Sequence, residues 1–182
     1  MATASVPPSS LLLVDGYNVI HAWQDLQHRQ FQAGLEEARR ELSDILASYI
    51  AFRGGEAVLV FDAYNQDTVG STEAFTQQLK VHYTDRDETA DTYIERLCAQ
   101  RARHHLHHRL KTLVVTSDVA QHRTTTGYGA QWMSALQFRQ EVHNTRSQIR
   151  HQERDRARRP TLKGVLPPDV GDRLNRWRFG RD

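Results

Sequence analysis

Leu11-Leu12-Leu13-Val14-Asp15-Gly16 (LLLVDG) is the stretch on which the fold turns. Four apolar residues run without a polar interruption, whereas a strand with one face in water alternates. Such a run is a strand covered on both faces, and the Asp15-Gly16 pair after it reads as a loop. Working outward, Gly34 to Phe52 places Leu35, Ala38, Leu42, Ile45, Leu46, Tyr49 and Ile50 at helical spacing, and Gly54-Gly55 ends the element. Ala57–Phe61 (AVLVF), Val81–Thr84 and Thr112–Thr116 (TLVVT) are three more short apolar strands. Between the last two, Glu88 to Arg103 carries Ala90, Tyr93, Ile94, Leu97 and Cys98 on one helical face. Strand and helix in alternation predict an α/β fold with a mostly parallel central sheet and helices on both faces.

The 182 residues suit one domain with an arm to spare, and 38% hydrophobic against 25% charged residues allows a core in a water-facing protein. MATASVPPSS, residues 1–10, reads as a flexible tail. The apolar run after it is far shorter than a signal-peptide core or the roughly 20 residues of a membrane helix, so a cytoplasmic protein without a membrane partner is expected. Cys98, the single cysteine, sits in an apolar helical pattern and reads as a buried structural thiol. Beyond Gly129 the pattern Ala130, Met133, Ala135, Leu136 still faces the core. From Arg139 to Arg159 the apolar residues thin to Val142 and Ile149, which predicts a projecting helix stopped by Pro160 and followed by a short docked segment. Charge divides the same way: residues 1–100 carry 7 basic and 15 acidic side chains, residues 101–182 carry 17 and 7. The basic half is almost wholly arginine, whose planar fork suits phosphate, so a polyanionic partner competes with a solvated helix face as its explanation.

In an open parallel sheet the carboxyl ends of the strands meet at one edge, where ligands bind. Asp15 follows the first strand, Asp62 the second and Asp118 the fourth, while Asp87, Glu88 and Asp91 open the helix after the third. Any one of these acids is explained by a helix cap or turn. Several at one edge repel each other and call for a cation, and an all-oxygen set suits Mg²⁺ or Mn²⁺, which can polarise a phosphoryl oxygen and activate water. That is the chemistry of phosphodiester hydrolysis. Glu88 and Asp91, three apart, are expected on one helix face. The chain has no cysteine pair for zinc and no glycine-rich P-loop, and His104-His105-Leu106-His107-His108 reads as a solvated connector.

Five motifs in order, LLVDGYNVIHAW (12–23), VFDA (60–63), DETADTYIERL (87–97), TSD (116–118) and GYGAQWMSA (127–135), resemble the YacP-like branch of the NYN domain proteins, within the PIN-like nuclease group. The resemblance covers Leu11 to about Val142, and RLNRWRFG near the end is similar to the family's basic ending. It implies a three-layer PIN-like nuclease domain over residues 11–142, an arginine-rich helical extension over 143–182, and a ribosome-associated endonuclease of mRNA. By the same resemblance Asp15, Asp91 and Asp118 are metal ligands, Asp62 and Glu88 supporting ligands or water-orienting groups, and Asn18 and Ser117 positioning residues. Two positions depart from the family: Tyr64-Asn65 stand where members often have histidine, and Val119 where they have an aromatic residue.

The reading is therefore a Mg²⁺- or Mn²⁺-dependent endoribonuclease using water as nucleophile, with Arg123, Arg139, Arg146, Arg150, Arg154 and Arg158 on the RNA backbone. Two rivals stand beside it: an RNA- or ribosome-binding module that kept the fold with little activity, and a phosphatase with an aspartate nucleophile. The phosphatase would want a second acid two residues after Asp15, where Tyr17 stands. The sequence leaves open which RNA is cut, the number of ions and the oligomeric state.

Overall fold

All five residues of the first strand, β1 (Leu11–Asp15), are buried, and successive side chains enter different cores. Leu12 and Val14 join one hydrophobic cluster, Leu11 and Leu13 another. The chain is described as a computed structural model over residues 10–63, 70–103 and 111–158. Its elements follow in the order β1, α1 (Gly16–Ala22), α2 (Gln24–Ala33), α3 (Leu35–Arg53), β2 (Glu56–Phe61), β3 (Ser71–Ala74), β4 (Leu79–Tyr83), α4 (Ala90–Arg103), β5 (Thr112–Val115), α5 (Val119–Gly127), β6 (Gln131–Met133) and α6 (Ala135–Arg158). One sheet of order β3-β4-β2-β1-β5-β6 holds every strand, and all neighbours run parallel except β3 against β4.

The larger core places Val19, Ile20, Leu26, Leu42, Leu46, Ile50 and Phe138, from α1, α2, α3 and the start of α6, on one face of the sheet. The smaller core sets Ala90, Ile94 and Cys98 of α4 on the other. This is the expected three-layer α/β arrangement. Gly54 and Gly55 end α3 with φ of 79° and 90°, a region only glycine enters cheaply. Cys98 is a free, buried thiol, pushed up to about 11 by burial.

Several local expectations are corrected. Asp15-Gly16 opens a helix rather than a loop, because the Asp15 side chain accepts the Asn18 N–H and caps α1. In α2 only Leu26 is buried, so no apolar stripe announces it. Strand β3 is exposed throughout and β6 is three residues long. The last helix begins at Ala135 rather than Arg139, and Leu136, expected in the core, is 60% exposed while Ala135 and Phe138 are buried. One compact unit runs to Thr145 and a second starts at Arg146. In the second, Arg146, Arg150 and Arg154 are exposed and form no ion pair among the described residues. The tail at 1–9, the histidine cluster at 104–108, Tyr64-Asn65, Pro160 and the segment after it lie outside the described residues, as do the side chains of Val119 and Arg158. No helix among the described residues is long and apolar enough to cross a membrane.

Candidate active site

Parallel pairing of β2, β1 and β5 brings their carboxyl ends to one edge, and each end delivers an aspartate that also caps a helix. Asp15 Oδ1 accepts the Asn18 N–H at 3.0 Å. Asp118 Oδ1 accepts from Ala120 and Gln121 at 2.6 and 3.0 Å and caps α5. Asp62 Oδ1 accepts the Ala90 N–H, which ties the end of β2 to the first turn of α4. That turn carries Asp91. In all three caps one carboxylate oxygen is occupied by backbone, and Oδ2 takes no part in the cap.

The four acids press on one another. Burial pushes Asp15 from its ordinary value near 3.8 up to about 7, opposed by the Asn18 N–H and reinforced by the charges of Asp91, Asp62 and Asp118. Asp91 is raised too, by burial first and then by Asp118, Asp62 and Glu95. A hard cation would relieve this repulsion, and the donors are hard oxygens, so in chemistry the set fits Mg²⁺ or Mn²⁺. Among the described residues, however, no three carboxylate, histidine or cysteine groups converge into a ready-made cage. The fit is therefore to an ion that keeps much of its water, as Mg²⁺ does, with some of the acids acting through that water.

Asn18 and Ser117 stand where positioning residues would. Asn18 Oδ1 accepts the Ser117 N–H at 2.9 Å, joining the β1–α1 and β5–α5 junctions, and Ser117 Oγ accepts the Ala135 N–H at 3.4 Å. Glu88 is not brought into the cluster. It lies in the turn before α4, so the three-residue helix spacing to Asp91 does not apply, and it pairs with Arg96 at 2.7 Å. Arg139 is likewise committed, to Asp25 at 2.9 Å. Arg123 is exposed on α5 and forms no ion pair among the described residues.

Sequence reasoning missed a second wall of the site. A cleft of about 480 Å³ opens beside Asp15 and Asp62 and is also lined by Tyr17, Asn18, His21, Gln30 and Leu35. Behind it Arg39 donates to the Tyr17 hydroxyl and lies 5.2 Å from the Tyr17 ring centroid. Tyr17 and His21, four apart, were the available signal, had the segment been read as helix.

The family described as the YacP-like NYN domain matches residues 12–179, so the match continues through the arginine-rich end rather than stopping near Val142. YacP of Bacillus subtilis (strain 168) is 31% identical over 171 residues, which is 93% of this chain and 97% of YacP. Two crystal structures of Rae1 (YacP) from Bacillus subtilis superpose at 30% identity. A point variant gives a TM-score of 0.69 over 84% of this chain and 86% of its own, and the unmutated protein gives 0.67 over 94% and 95%.

Proposed function

The chain belongs to the YacP-like NYN domain family, a PIN-like nuclease group, and from that premise we propose that it is a divalent-metal-dependent endoribonuclease acting on mRNA in a ribosome-associated, cytoplasmic setting. Family membership supports a nuclease-type function. The observation that carries the finer reading is the electrostatic one: Asp15 is held near 7 under pressure from three other carboxylates at the ligand-binding edge of the sheet. A fold gains nothing from gathering that repulsion unless a cation resolves it.

In this reading Asp15, Asp91 and Asp118, with Asp62 in support, hold Mg²⁺ or Mn²⁺. When bound, the ion supplies a polarised phosphoryl oxygen and a more acidic water. The chain's own groups do the rest. The caps at Asp15, Asp62 and Asp118 orient one oxygen of each carboxylate toward backbone and leave the other for the site. Asn18 holds the Ser117 N–H and so sets the spacing between Asp15 and Asp118. Water is the nucleophile: Ser117 uses its hydroxyl on Ala135, and the Cys98 thiol is buried in the helix packing. The exposed arginines of α6 hold the RNA backbone through charge, without reading sequence.

The absence of a ready-made cage among the described residues favours one second reading, an RNA- or ribosome-binding module with negligible cutting. One experiment separates the two. Purified protein is incubated with total RNA, with and without ribosomes and Mn²⁺, and new RNA ends are mapped. Discrete Mn²⁺-dependent ends support the nuclease; binding without new ends under every condition supports the module.

A further inference from the structure

Hydrolysis of a phosphodiester needs oxygen donors and cations, and the cleft beside the acids offers something else. Opposite Asp15 and Asp62 it presents two rings, an amide and a branched apolar side chain: Tyr17, His21, Gln30 and Leu35. That combination matches a nucleobase, which has a planar face to stack and a polar edge to bond. The volume, about 480 Å³, falls within the range of sites that enclose a small ligand.

The ring wall is built to stay in place. His21 stacks on Tyr17 with 6.4 Å between centroids and 22° between planes. Tyr17 in turn leans on the fully buried Phe61 at 5.2 Å. The Arg39 guanidinium lies 5.2, 5.7 and 5.8 Å from the centroids of Tyr17, Phe61 and Tyr83. Its Nε is buried without a hydrogen-bond partner, so the rings supply much of what surrounds this cation. A cation there also offsets the negative charge of Asp15 and Asp62, which a polyanionic strand must approach. His21, by contrast, is exposed, leaving its ring accessible.

We infer that this cleft is a base pocket: it takes one unpaired RNA nucleotide next to the scissile phosphate, stacks its base on His21 over Tyr17, and offers the Gln30 amide to its edge. A duplex cannot deliver a base this way, so the pocket selects single-stranded or splayed RNA. Binding of the base stands on the cleft alone; only its position beside a scissile phosphate rests on the nuclease reading.

The test scans a single 2-aminopurine along a short unstructured RNA and follows its fluorescence on titration with the full chain in chelator, so that no cutting occurs. Wild type should quench one position more than the others. His21→Ala, at an exposed site that leaves the melt unchanged, should abolish that quench and weaken binding about 5- to 150-fold, the range for losing one base–aromatic stack. Gln30→Ala should keep the quench and reduce discrimination among bases at that position. RNA bound without a position-specific quench, a quench that survives His21→Ala, or no RNA binding at all would overturn the pocket. So would a free 2-aminopurine nucleotide binding as tightly as the strand, since the site would then belong to a free nucleotide. Repeating the series with Mn²⁺ separates the two claims. A His21-dependent quench without cleavage keeps the pocket and ends the nuclease reading, whereas equal cleavage by wild type and His21→Ala does the reverse.

Discussion

Replacing Asp15 by asparagine keeps the helix cap and removes the charge. The oxygen that accepts the Asn18 N–H survives as the amide oxygen, and asparagine caps about as well as aspartate. In the wild-type protein burial, and then repulsion from Asp91, Asp62 and Asp118, lifts this carboxyl from near 3.8 to about 7. The folded state thus keeps a proton that the unfolded chain has released. Stability from this group is complete below about pH 4, declines as pH rises, and levels off once pH passes about 7. At about 1.4 kcal/mol for each tenfold change in protonation, moving from pH 5 to pH 8 costs up to about 2.5 kcal/mol through Asp15 alone. Asp15→Asn escapes that cost, so its stability relative to wild type should improve by up to this amount between the two pH values, equivalent to roughly 5–10 °C in Tm. Urea denaturation of both proteins at pH 5 and pH 8, in chelator, measures the change directly. A stability difference that stays the same at both pH values, or that moves toward wild type at pH 8, would refute the claim that Asp15 is held protonated by its neighbours.

Four further outcomes follow from the same geometry. Asp91→Asn should abolish RNA cleavage while leaving affinity in a filter-binding assay unchanged or tighter, because it removes a ligand together with repulsion toward phosphate; cleavage within a few-fold of wild type would remove Asp91 from the site. Gly16→Ala should destabilise by about 1–3 kcal/mol in urea, since a Cβ would sit 2.1 Å from Phe61 Cε1 and that ring is pinned between Tyr17 and Tyr83. Asn18→Ala should cost about 1 kcal/mol through the orphaned Ser117 N–H and lower cleavage more than RNA affinity, read from single-turnover rates beside binding curves. Replacing Arg146, Arg150 and Arg154 with glutamine should flatten the log–log salt dependence of RNA affinity by about 2 units if each meets one phosphate, and an unchanged slope would make the helix a solvated strut.

The strands that sequence reveals are those buried on both faces. Leu11–Val14 and the apolar runs of β2 and β5 announce themselves because nothing polar interrupts them. Strand β3 reads Ser-Thr-Glu-Ala and is exposed, so only its pairing with β4 makes it a strand. The acidic edge was legible because a parallel sheet points its strand ends one way, and the rule needs no knowledge of side chains. Cap and ligand had stood as competing explanations for each acid. The geometry accommodates both, since the caps use Oδ1 of Asp15, Asp62 and Asp118. Glu88 went astray through a boundary: α4 starts at Ala90, and a helical spacing counted from the preceding turn places the side chain wrongly. The aromatic wall was not legible at all, because Arg39 meets Tyr17 across 22 residues and two helix turns whose sequences carry little apolar signal.

The central claim, that the carboxylate edge hydrolyses RNA with a metal ion and water, is tested most directly by the chemistry of the ends it leaves. Wild type and Asp118→Asn are compared in single turnover on one end-labelled single-stranded RNA, presented with ribosomes, in Mn²⁺ or chelator, and the product termini are identified. Attack by water leaves a linear phosphate and a hydroxyl, whereas attack by the neighbouring 2′-hydroxyl leaves a cyclic phosphate. The account predicts Mn²⁺-dependent cleavage with linear ends that Asp118→Asn abolishes. Cyclic ends, cleavage that persists in chelator, or an Asp118→Asn variant that cuts as fast as wild type would contradict it.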